Sequence, residues 1–225
     1  MKLWFVAATR LAEAAFHRDA PLARSLKRAE AYSPFVLAAA YENQRPLADV
    51  YNRAIDMAKP DDVLVFVHDD VWVDDWHVAQ RLRDALDAYD VVGVAGNRVR
   101  APRQASWVFD GDRPRADQPT LSGGIQHGAP GAPVPSRYGD APAEVRLLDG
   151  VFLAARAATL RDAGVRFDAR FPFHFYDTDF CRACEQAGLR LGTWPIALTH
   201  ASSGENWAGE AWEAAYRVYL DKWGD

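Results

Sequence analysis

The stretch Val63-Leu64-Val65-Phe66-Val67-His68-Asp69-Asp70-Val71 decides the fold we expect. Its first five residues are apolar without a polar break, which is typical of a strand buried on both faces of a parallel α/β sheet. Ligands of such sheets bind beyond the carboxyl ends of the strands, where His68, Asp69 and Asp70 would lie. Two carboxylates beside an imidazole suit Mg²⁺ or Mn²⁺. Acids that only form the turn after a strand would give the same pattern, so the triplet alone does not distinguish a metal site from a turn.

The segments around this strand alternate between strand and helix patterns. In chain order these are a strand at residues 3–7, a helical segment at 11–31 that Pro21 splits into two short pieces, a strand at 35–39, a helix at 46–58, the central strand, a helix at 74–88 and a strand at 91–96. The order β-α-β-α-β-α-β predicts parallel strands joined by right-handed crossovers. The fold class that we predict is therefore α/β, with a mostly parallel central sheet flanked by helices.

The pattern changes after residue 100. Residues 101–142 are dense in Pro, Gly and polar side chains around a short apolar island at residues 107–109. This segment is too long for a plain connector, so it is either disordered or a functional loop with short strands. Further elements are a strand at residues 145–155 that bends at Asp149-Gly150, a helix at 156–164, a helix ending at Gly188, a strand at 189–198 and a helix at 207–223. The aromatic stripe on the last helix is more typical of core than of a membrane anchor.

Composition excludes several classes of protein. The 225 residues suffice for one large domain or two small ones, and the net charge of −5 argues against a nucleic-acid-binding surface. No apolar run approaches the roughly 20 residues needed to span a bilayer. Arg10 interrupts the apolar N-terminal run, so a first strand is favoured over a signal peptide. Two cysteines cannot form a disulfide framework, and a cytoplasmic location fits best.

Two acidic segments and one histidine could form a reactive site. A metal near Asp70 and a separate carboxylate base at Asp177 would make a coherent pair, with His200 as a third polar point. Each has a structural alternative. Asp177 is placed as a natural helix N-cap, and the helix dipole would keep it ionised and a weak base. His200 could be a structural histidine. Cys181-x-x-Cys184 has a redox spacing but lies within a predicted helix, which favours core packing.

Three segments together resemble the family 2 glycosyltransferases with the GT-A fold, and among them the compact bacterial StrF-type subgroup. They are Val65-Phe66-Val67-His68-Asp69-Asp70-Val71, Leu148-Asp149-Gly150-Val151-Phe152 and Phe173-His174-Phe175-Tyr176-Asp177-Thr178-Asp179-Phe180-Cys181. The resemblance extends over most of the chain. It implies a single GT-A (Rossmann-like) domain over residues 1–225, with a nucleotide-sugar-binding half at 1–100 and an acceptor and catalytic half at 101–225.

The resemblance also implies a metal site. The family's DxD motif falls on His68-Asp69-Asp70, which makes Asp70 the direct ligand of Mn²⁺ or Mg²⁺. His68 stands where the family has its first acid, and a neutral imidazole can also ligate the ion. The family's downstream metal or diphosphate histidine falls on His200.

The family's Glu-Asp motif falls on Tyr176-Asp177, which makes Asp177 the catalytic base and places Tyr176 where the glutamate would be. The resemblance further implies a set of residues that contact the donor or wall its pocket. They are Thr9 and Arg10 after the first strand, Glu42 and Asn43 after the second, His68 and Asp69 of the DxD-like motif, and Asp149 and Gly150 on the acceptor side.

The implied reaction is direct, inverting displacement at the anomeric carbon of a nucleotide-activated sugar by an acceptor hydroxyl. The acceptor could be a saccharide, a lipid-linked saccharide or a small molecule, with residues 101–142 and 202–204 as acceptor and lid segments. The Trp-rich last helix could serve as an interface in a homo-oligomer. The alternative is a catalytically impaired nucleotide-sugar-binding or scaffold protein, because positions 68 and 176 depart from the family pattern.

Two other α/β enzyme classes fit less well. A haloacid-dehalogenase-type phosphatase needs an aspartate nucleophile where this chain has His68. A sugar nucleotidyltransferase needs a Gly-rich phosphate loop after the first strand, where Ala7-Ala8-Thr9-Arg10 offers none.

Overall fold

The computed structural model describes residues 2–32, 34–111, 113–128, 132–202 and 207–224. The first hundred residues contain strands and helices at the predicted places, with one further short strand at residues 71–73. Their elements are β1 (Leu3–Ala8), α1 (Glu13–Asp19), α2 (Pro21–Ala29), β2 (Phe35–Ala40), α3 (Leu47–Met57), β3 (Val63–Val67), β4 (Val71–Val73), α4 (Val78–Ala88), β5 (Val91–Gly93) and β6 (Ala95–Asn97). Pro21 separates α1 from α2 because proline is tolerated at the first helical position but not within a helix.

Nine more strands and three helices follow in the described residues. They are β7 (Phe109–Asp110), β8 (Arg113–Pro114), β9 (Leu121–His127), β10 (Val134–Gly139), β11 (Ala143–Val145), β12 (Leu147–Leu148), β13 (Phe152–Arg156), α5 (Ala157–Asp162), α6 (Tyr176–Gln186), β14 (Leu191–Thr193), β15 (Leu198–His200) and α7 (Glu210–Trp223). None of the helices in the described ranges is long and apolar enough to cross a membrane.

The central sheet has seven strands in the order β11-β14-β5-β13-β3-β1-β2. Five of them, β2, β1, β3, β5 and β14, run in one direction, whereas β13 and β11 run against their neighbours. Every side chain of β3 is buried, as its unbroken apolar run predicts. Helix α3 packs on β1 and β3, and α4 packs on β5 and β13. The predicted α/β class, with a mostly parallel central sheet flanked by helices, is confirmed.

A second sheet has the order β12-β6-β9-β15-β4, and β10 extends it from β9. The uninterrupted strand predicted over residues 91–96 is wrong, because the chain leaves the central sheet after β5 and enters the second sheet as β6. Between them, the carbonyl oxygen of Val94 accepts the N–H of Gly124 from β9 at 3.0 Å. Gly123 (φ +88°) lies so close to Val94 that a Cβ atom there would clash with the Val94 carbonyl oxygen. The predicted strand at residues 145–155 is likewise divided, into β11, β12 and β13.

The described parts of residues 101–142 are a folded segment with short strands, which is the second of the two predicted alternatives. Strands β7 and β8 pair with each other, and β9 pairs antiparallel with β10. The apolar island, Trp107, Val108 and Phe109, is buried. Residues 112 and 129–131 lie outside the described residues.

The two cysteines and the last helix belong to the core, as predicted. Cys181 and Cys184 are buried and unpaired, and burial raises the pKa of both thiols, which is the opposite of what redox activity needs. Helix α7 begins at Glu210 rather than at residue 207. Its Tyr219 is fully buried and contacts the ring of Phe175.

Candidate metal and catalytic site

His68, Asp69 and Asp70 connect β3 of the central sheet to β4 of the second sheet. Strand β15 pairs antiparallel with β4 and sets His200 opposite Val71. The N–H of Ala201 donates to the Asp70 carbonyl at 2.9 Å, so the two chain segments are held in register. This pairing brings His200 Nε2 within 3.2 Å of Asp70 Oδ1.

His68, Asp70 and His200 form a candidate metal cluster. One ligand atom from each lies within 4.8 Å of the others. His68 Nδ1 is 4.0 Å from Asp70 Oδ1, and Ser202 Oγ lies 3.0 Å from His200 Nε2. Two imidazole nitrogens and a carboxylate are ligands that a divalent cation accepts, so the residues present fit such an ion. All three residues predicted for metal binding therefore lie together.

Charge in this cluster is set by the contact of Asp70 with His200. Burial by itself would raise the pKa of Asp70 and lower that of His200. The hydrogen bond and the opposite charges outweigh burial, so the pKa of Asp70 falls and the pKa of His200 rises. Burial lowers the pKa of His68, which keeps this imidazole neutral and able to coordinate. A cation that binds here competes with a proton for His200, so its affinity increases with pH.

Asp177 lies in the first turn of α6 and faces the same cavity. Its Oδ2 accepts the N–H of Gly150 at 3.1 Å, and its Oδ1 accepts the N–H of Thr178 at 2.8 Å. Burial and the charge of Asp149 raise the pKa of Asp177 to about 6, although the backbone hydrogen bonds oppose the rise. The expectation that Asp177 is an N-cap kept weakly basic by the helix dipole is wrong. Phe175 is the N-cap residue, and burial outweighs the dipole.

Phe175 sets the direction in which α6 starts. It has φ +64°, a left-handed conformation that costs an L-residue about 1–2 kcal/mol. Its ring packs against three aromatic rings of α7, with centroids 5.3 Å away for Trp212, 5.5 Å for Tyr216 and 5.3 Å for Tyr219. The last helix therefore stabilises the turn that presents Asp177 to the cavity.

The two positions that depart from the family pattern contact each other. His68 Nε2 lies 2.8 Å from Tyr176 Oη, and Tyr176 Oη donates to the Gly150 carbonyl at 2.7 Å. A Cβ atom at position 150 would lie 2.7 Å from Tyr176 Cζ and 2.8 Å from Asp177 Cβ. Only glycine fits this approach, and the predicted bend at residue 150 is where the metal cluster meets the candidate base.

Asp149 lies between the candidate metal cluster and Asp177. Its Oδ2 accepts the indole N–H of Trp107 at 3.0 Å, and its Oδ1 accepts the N–H of Val151 at 2.8 Å. Nothing in the local pattern around Trp107 predicted this contact, since the two residues are 42 positions apart in the chain and meet only in the folded protein.

A cavity of about 1020 Å³ joins these groups. Its polar lining includes His68, Asp69, Asp70, Asp149, Asp177 and His200. Its aromatic lining includes Trp107, Tyr138, Phe173, Phe175, Trp207 and Trp212. The cavity is large enough for a small-molecule ligand and combines ionisable groups with apolar walls, which is typical of binding sites.

The predicted donor residues of the first two strands do not line this cavity. Thr9 is buried, and its Oγ1 accepts the N–H of Leu11 at 3.1 Å. The N–H of Asn43 donates to the Thr9 carbonyl at 2.8 Å, whereas Arg10 and Glu42 are exposed. Ala8, the residue just before Thr9, does line the cavity. A role of these four residues in donor binding stays a prediction.

Ser202 was predicted only as part of a lid, but in the structure it contacts His200. The rest of the predicted lid, residues 203 and 204, lies outside the described residues.

Comparisons with known proteins give one family. The Glycosyltransferase like family matches residues 13–212. The crystal structure of A197 from STIV is similar at 12% sequence identity, with 87% of this chain and 82% of that chain covered and a TM-score of 0.46. A comparison with curated proteins gives no match.

Proposed function

Because this chain belongs to the glycosyltransferase-like family, we propose that it is a metal-dependent, inverting glycosyltransferase. It would move a sugar from a nucleotide-sugar donor to the hydroxyl of an acceptor. Membership of the family supports glycosyl transfer as the activity and implies a donor and an acceptor. Placement in the StrF-type subgroup stays a prediction.

One observation carries the proposal: a candidate metal cluster and a partly buried carboxylate of raised pKa face one cavity. His68, Asp70 and His200 would hold Mn²⁺ or Mg²⁺. When bound, such an ion supplies positive charge that stabilises the departing diphosphate. The metal ion would thus stabilise the charge of the leaving group, and a separate carboxylate would accept the proton of the nucleophile.

Asp177 would take the proton from the attacking acceptor hydroxyl. The N–H groups of Gly150 and Thr178 hold its carboxylate in place, which supports a role as an oriented base in the absence of the family's glutamate. A pKa of about 6 leaves it ionised at neutral pH, yet more basic than an ordinary aspartate. Attack from the side opposite the diphosphate inverts the anomeric centre.

The donor and the acceptor would contact different residues. Thr9, Arg10, Glu42 and Asn43 are proposed for the nucleotide and Asp149-Gly150 for the acceptor side. The aromatic lining near Trp107 offers apolar faces on which the C–H face of a sugar can pack, which fits a saccharide, lipid-linked or small-molecule acceptor. The sheet, the helices and the family match agree with a single GT-A domain. Its halves at 1–100 and 101–225, a cytoplasmic location and a homo-oligomer stay predictions.

A thermal-shift screen tests the donor site directly. UDP-, GDP-, dTDP- and CMP-sugars are each added with and without Mn²⁺, and the unfolding temperature is measured. We expect one nucleotide class to raise it in a metal-dependent way, and we expect Asp70→Ala to abolish that rise. Asp61→Asn, an exposed change outside the cavity, is the control and should keep the full shift.

Turnover distinguishes the enzyme from its alternative. The donor that shifts the melting curve is incubated with the protein and Mn²⁺, and release of nucleoside diphosphate is followed with and without candidate acceptors. Release that disappears in Asp177→Asn supports the transferase. Donor binding without any release would favour the nucleotide-sugar-binding or scaffold protein, and flat melting curves for every nucleotide at millimolar concentration would refute the donor site.

A further inference from the structure

The hydrogen bonds of Tyr176 determine which ring nitrogen of His68 carries the proton. The phenol has one hydrogen, and the Gly150 carbonyl, 2.7 Å from Oη, can only accept. If the phenol instead donated to His68, two oxygen lone pairs would face each other at this distance. Tyr176 therefore donates to Gly150 and accepts from His68 Nε2, 2.8 Å away. The proton of the neutral imidazole is on Nε2.

The other nitrogen of His68 is then free to coordinate. Nδ1 is 4.0 Å from Asp70 Oδ1, which is too long for a hydrogen bond. It carries a lone pair, and it is the ring nitrogen that approaches Asp70 of the candidate metal cluster. The ring is also confined, because Phe173 stacks on it with centroids 6.2 Å apart and Tyr176 holds its far edge.

We infer that Tyr176 is a positioning residue that fixes His68 as the Nε2–H tautomer and so presents Nδ1 as a metal ligand. With Asp70 and His200, this makes a site of two imidazoles and one carboxylate, which takes a transition-metal ion in preference to Mg²⁺. The inference rests on the metal site of the proposed function. The contact joins the two positions, 68 and 176, at which the sequence departs from the family that it resembles.

The preference for a transition-metal ion over Mg²⁺ follows from ligand chemistry. Mg²⁺ favours oxygen ligands and gives up its water reluctantly, whereas imidazole suits transition metals. A second imidazole in place of the family's first acid therefore moves the site away from Mg²⁺. In divalent first-row ions, affinity for a given nitrogen and oxygen site increases from Mn²⁺ to Co²⁺.

The tautomer can be measured in the metal-free wild-type protein. Histidine labelled with ¹⁵N is incorporated, the His68 signals are assigned by their loss in His68→Gln, and the shifts and couplings of both ring nitrogens are recorded. We expect a protonated, pyrrole-type Nε2 and an unprotonated, pyridine-type Nδ1. A protonated Nδ1 in neutral His68 would overturn the inference. This readout involves no donor or turnover, so it stands or fails separately from the transferase.

Measured metal affinities test the expected preference for transition-metal ions over Mg²⁺. Calorimetric titrations with Mn²⁺, Co²⁺ and Mg²⁺ should show both transition metals binding at least about tenfold more tightly than Mg²⁺. Tyr176→Phe should weaken Mn²⁺ binding by about 10–100-fold, as loss of a residue that orients a ligand does. Tyr51→Phe removes a phenol from the neighbouring aromatic cluster and should leave Mn²⁺ affinity unchanged.

His68→Asp supplies the reciprocal test. Replacing the imidazole by an oxygen ligand should reduce the ratio of Mn²⁺ to Mg²⁺ affinity several-fold, whatever becomes of activity. Equal affinity for Mg²⁺ and Mn²⁺ in the wild type would refute the preference. Unchanged Mn²⁺ affinity and an unchanged His68 tautomer in a folded Tyr176→Phe protein would refute the role of Tyr176.

Discussion

Replacement of Asp177 by asparagine is expected to slow transfer severely and, in metal-free protein at pH 8, to stabilise the fold. Burial and the neighbouring charge of Asp149 raise the pKa of this carboxyl from 3.8 to about 6. Such a rise corresponds to about 3 kcal/mol of preference for the protonated form in the folded state, as an upper limit for a partly exposed side chain. The ionised carboxylate thus destabilises the fold by up to that amount.

Asparagine at position 177 removes this destabilisation but also loses a hydrogen bond to the backbone. The carboxylate accepts two backbone N–H groups, from Gly150 and Thr178, with its two oxygens. An amide has one oxygen, so one of these donors loses its partner, which costs about 1–2 kcal/mol. The net expectation at pH 8 is a gain of about 1–2 kcal/mol in the free energy of unfolding.

The sign of the stability difference between Asp177→Asn and wild type depends on pH. The folded-state pKa lies above the unfolded value, so the stability linked to Asp177 is fully present below pH 3.8 and is lost as pH rises through about 6. At pH 4 the variant should be less stable than wild type because only the lost hydrogen bond remains. The difference between the two proteins should therefore change sign between pH 4 and pH 8.

Urea unfolding at pH 4, 6 and 8 in the presence of EDTA measures this difference. Asp61→Asn, at an exposed position, controls for the substitution itself and should change stability by less than about 0.5 kcal/mol. Loss of the base should lower kcat by about 10²–10⁴-fold, and the wild-type kcat should rise with pH through about 6. A stability difference between Asp177→Asn and wild type that is the same at all three pH values would refute the reasoning.

Three further substitutions test the surroundings of the site. Gly150→Ala places a Cβ against the phenol of Tyr176, and we expect a destabilisation of about 1–3 kcal/mol and a transfer rate reduced at least tenfold; normal kinetics would contradict the close packing. Lys222→Met leaves the fully buried Asp179 without its ion-pair partner at 2.6 Å and should cost about 3 kcal/mol in urea unfolding, whereas a loss below about 1 kcal/mol would show that the pair is solvated. Phe175→Gly relieves about 1–2 kcal/mol of backbone strain but removes a buried ring worth about 3–5 kcal/mol, so thermal unfolding should show a net loss of about 2 kcal/mol.

Much of the fold could be predicted because it depends on local pattern. The unbroken apolar run of β3, the proline at the start of α2 and the helical spacing in α3 each reflect a preference that neighbouring residues express by themselves. The division of residues 91–96 could not be predicted. It depends on which strand Val94 meets, and its partner Gly124 lies in β9, in a segment without clear periodicity.

The sequence by itself determined the kinds of groups at the candidate site: acids after a buried strand, an aspartate at the start of a helix and a histidine at the end of a later strand. Only the tertiary structure decided their chemistry. The pairing of β15 with β4 places His200 against Asp70. Burial beside Asp149 raises the pKa of Asp177. The contact of Tyr176 with His68 selects the tautomer of that ring. Hydrogen bonds and desolvation act over a few ångströms, and the groups that supply them here are far apart in the chain.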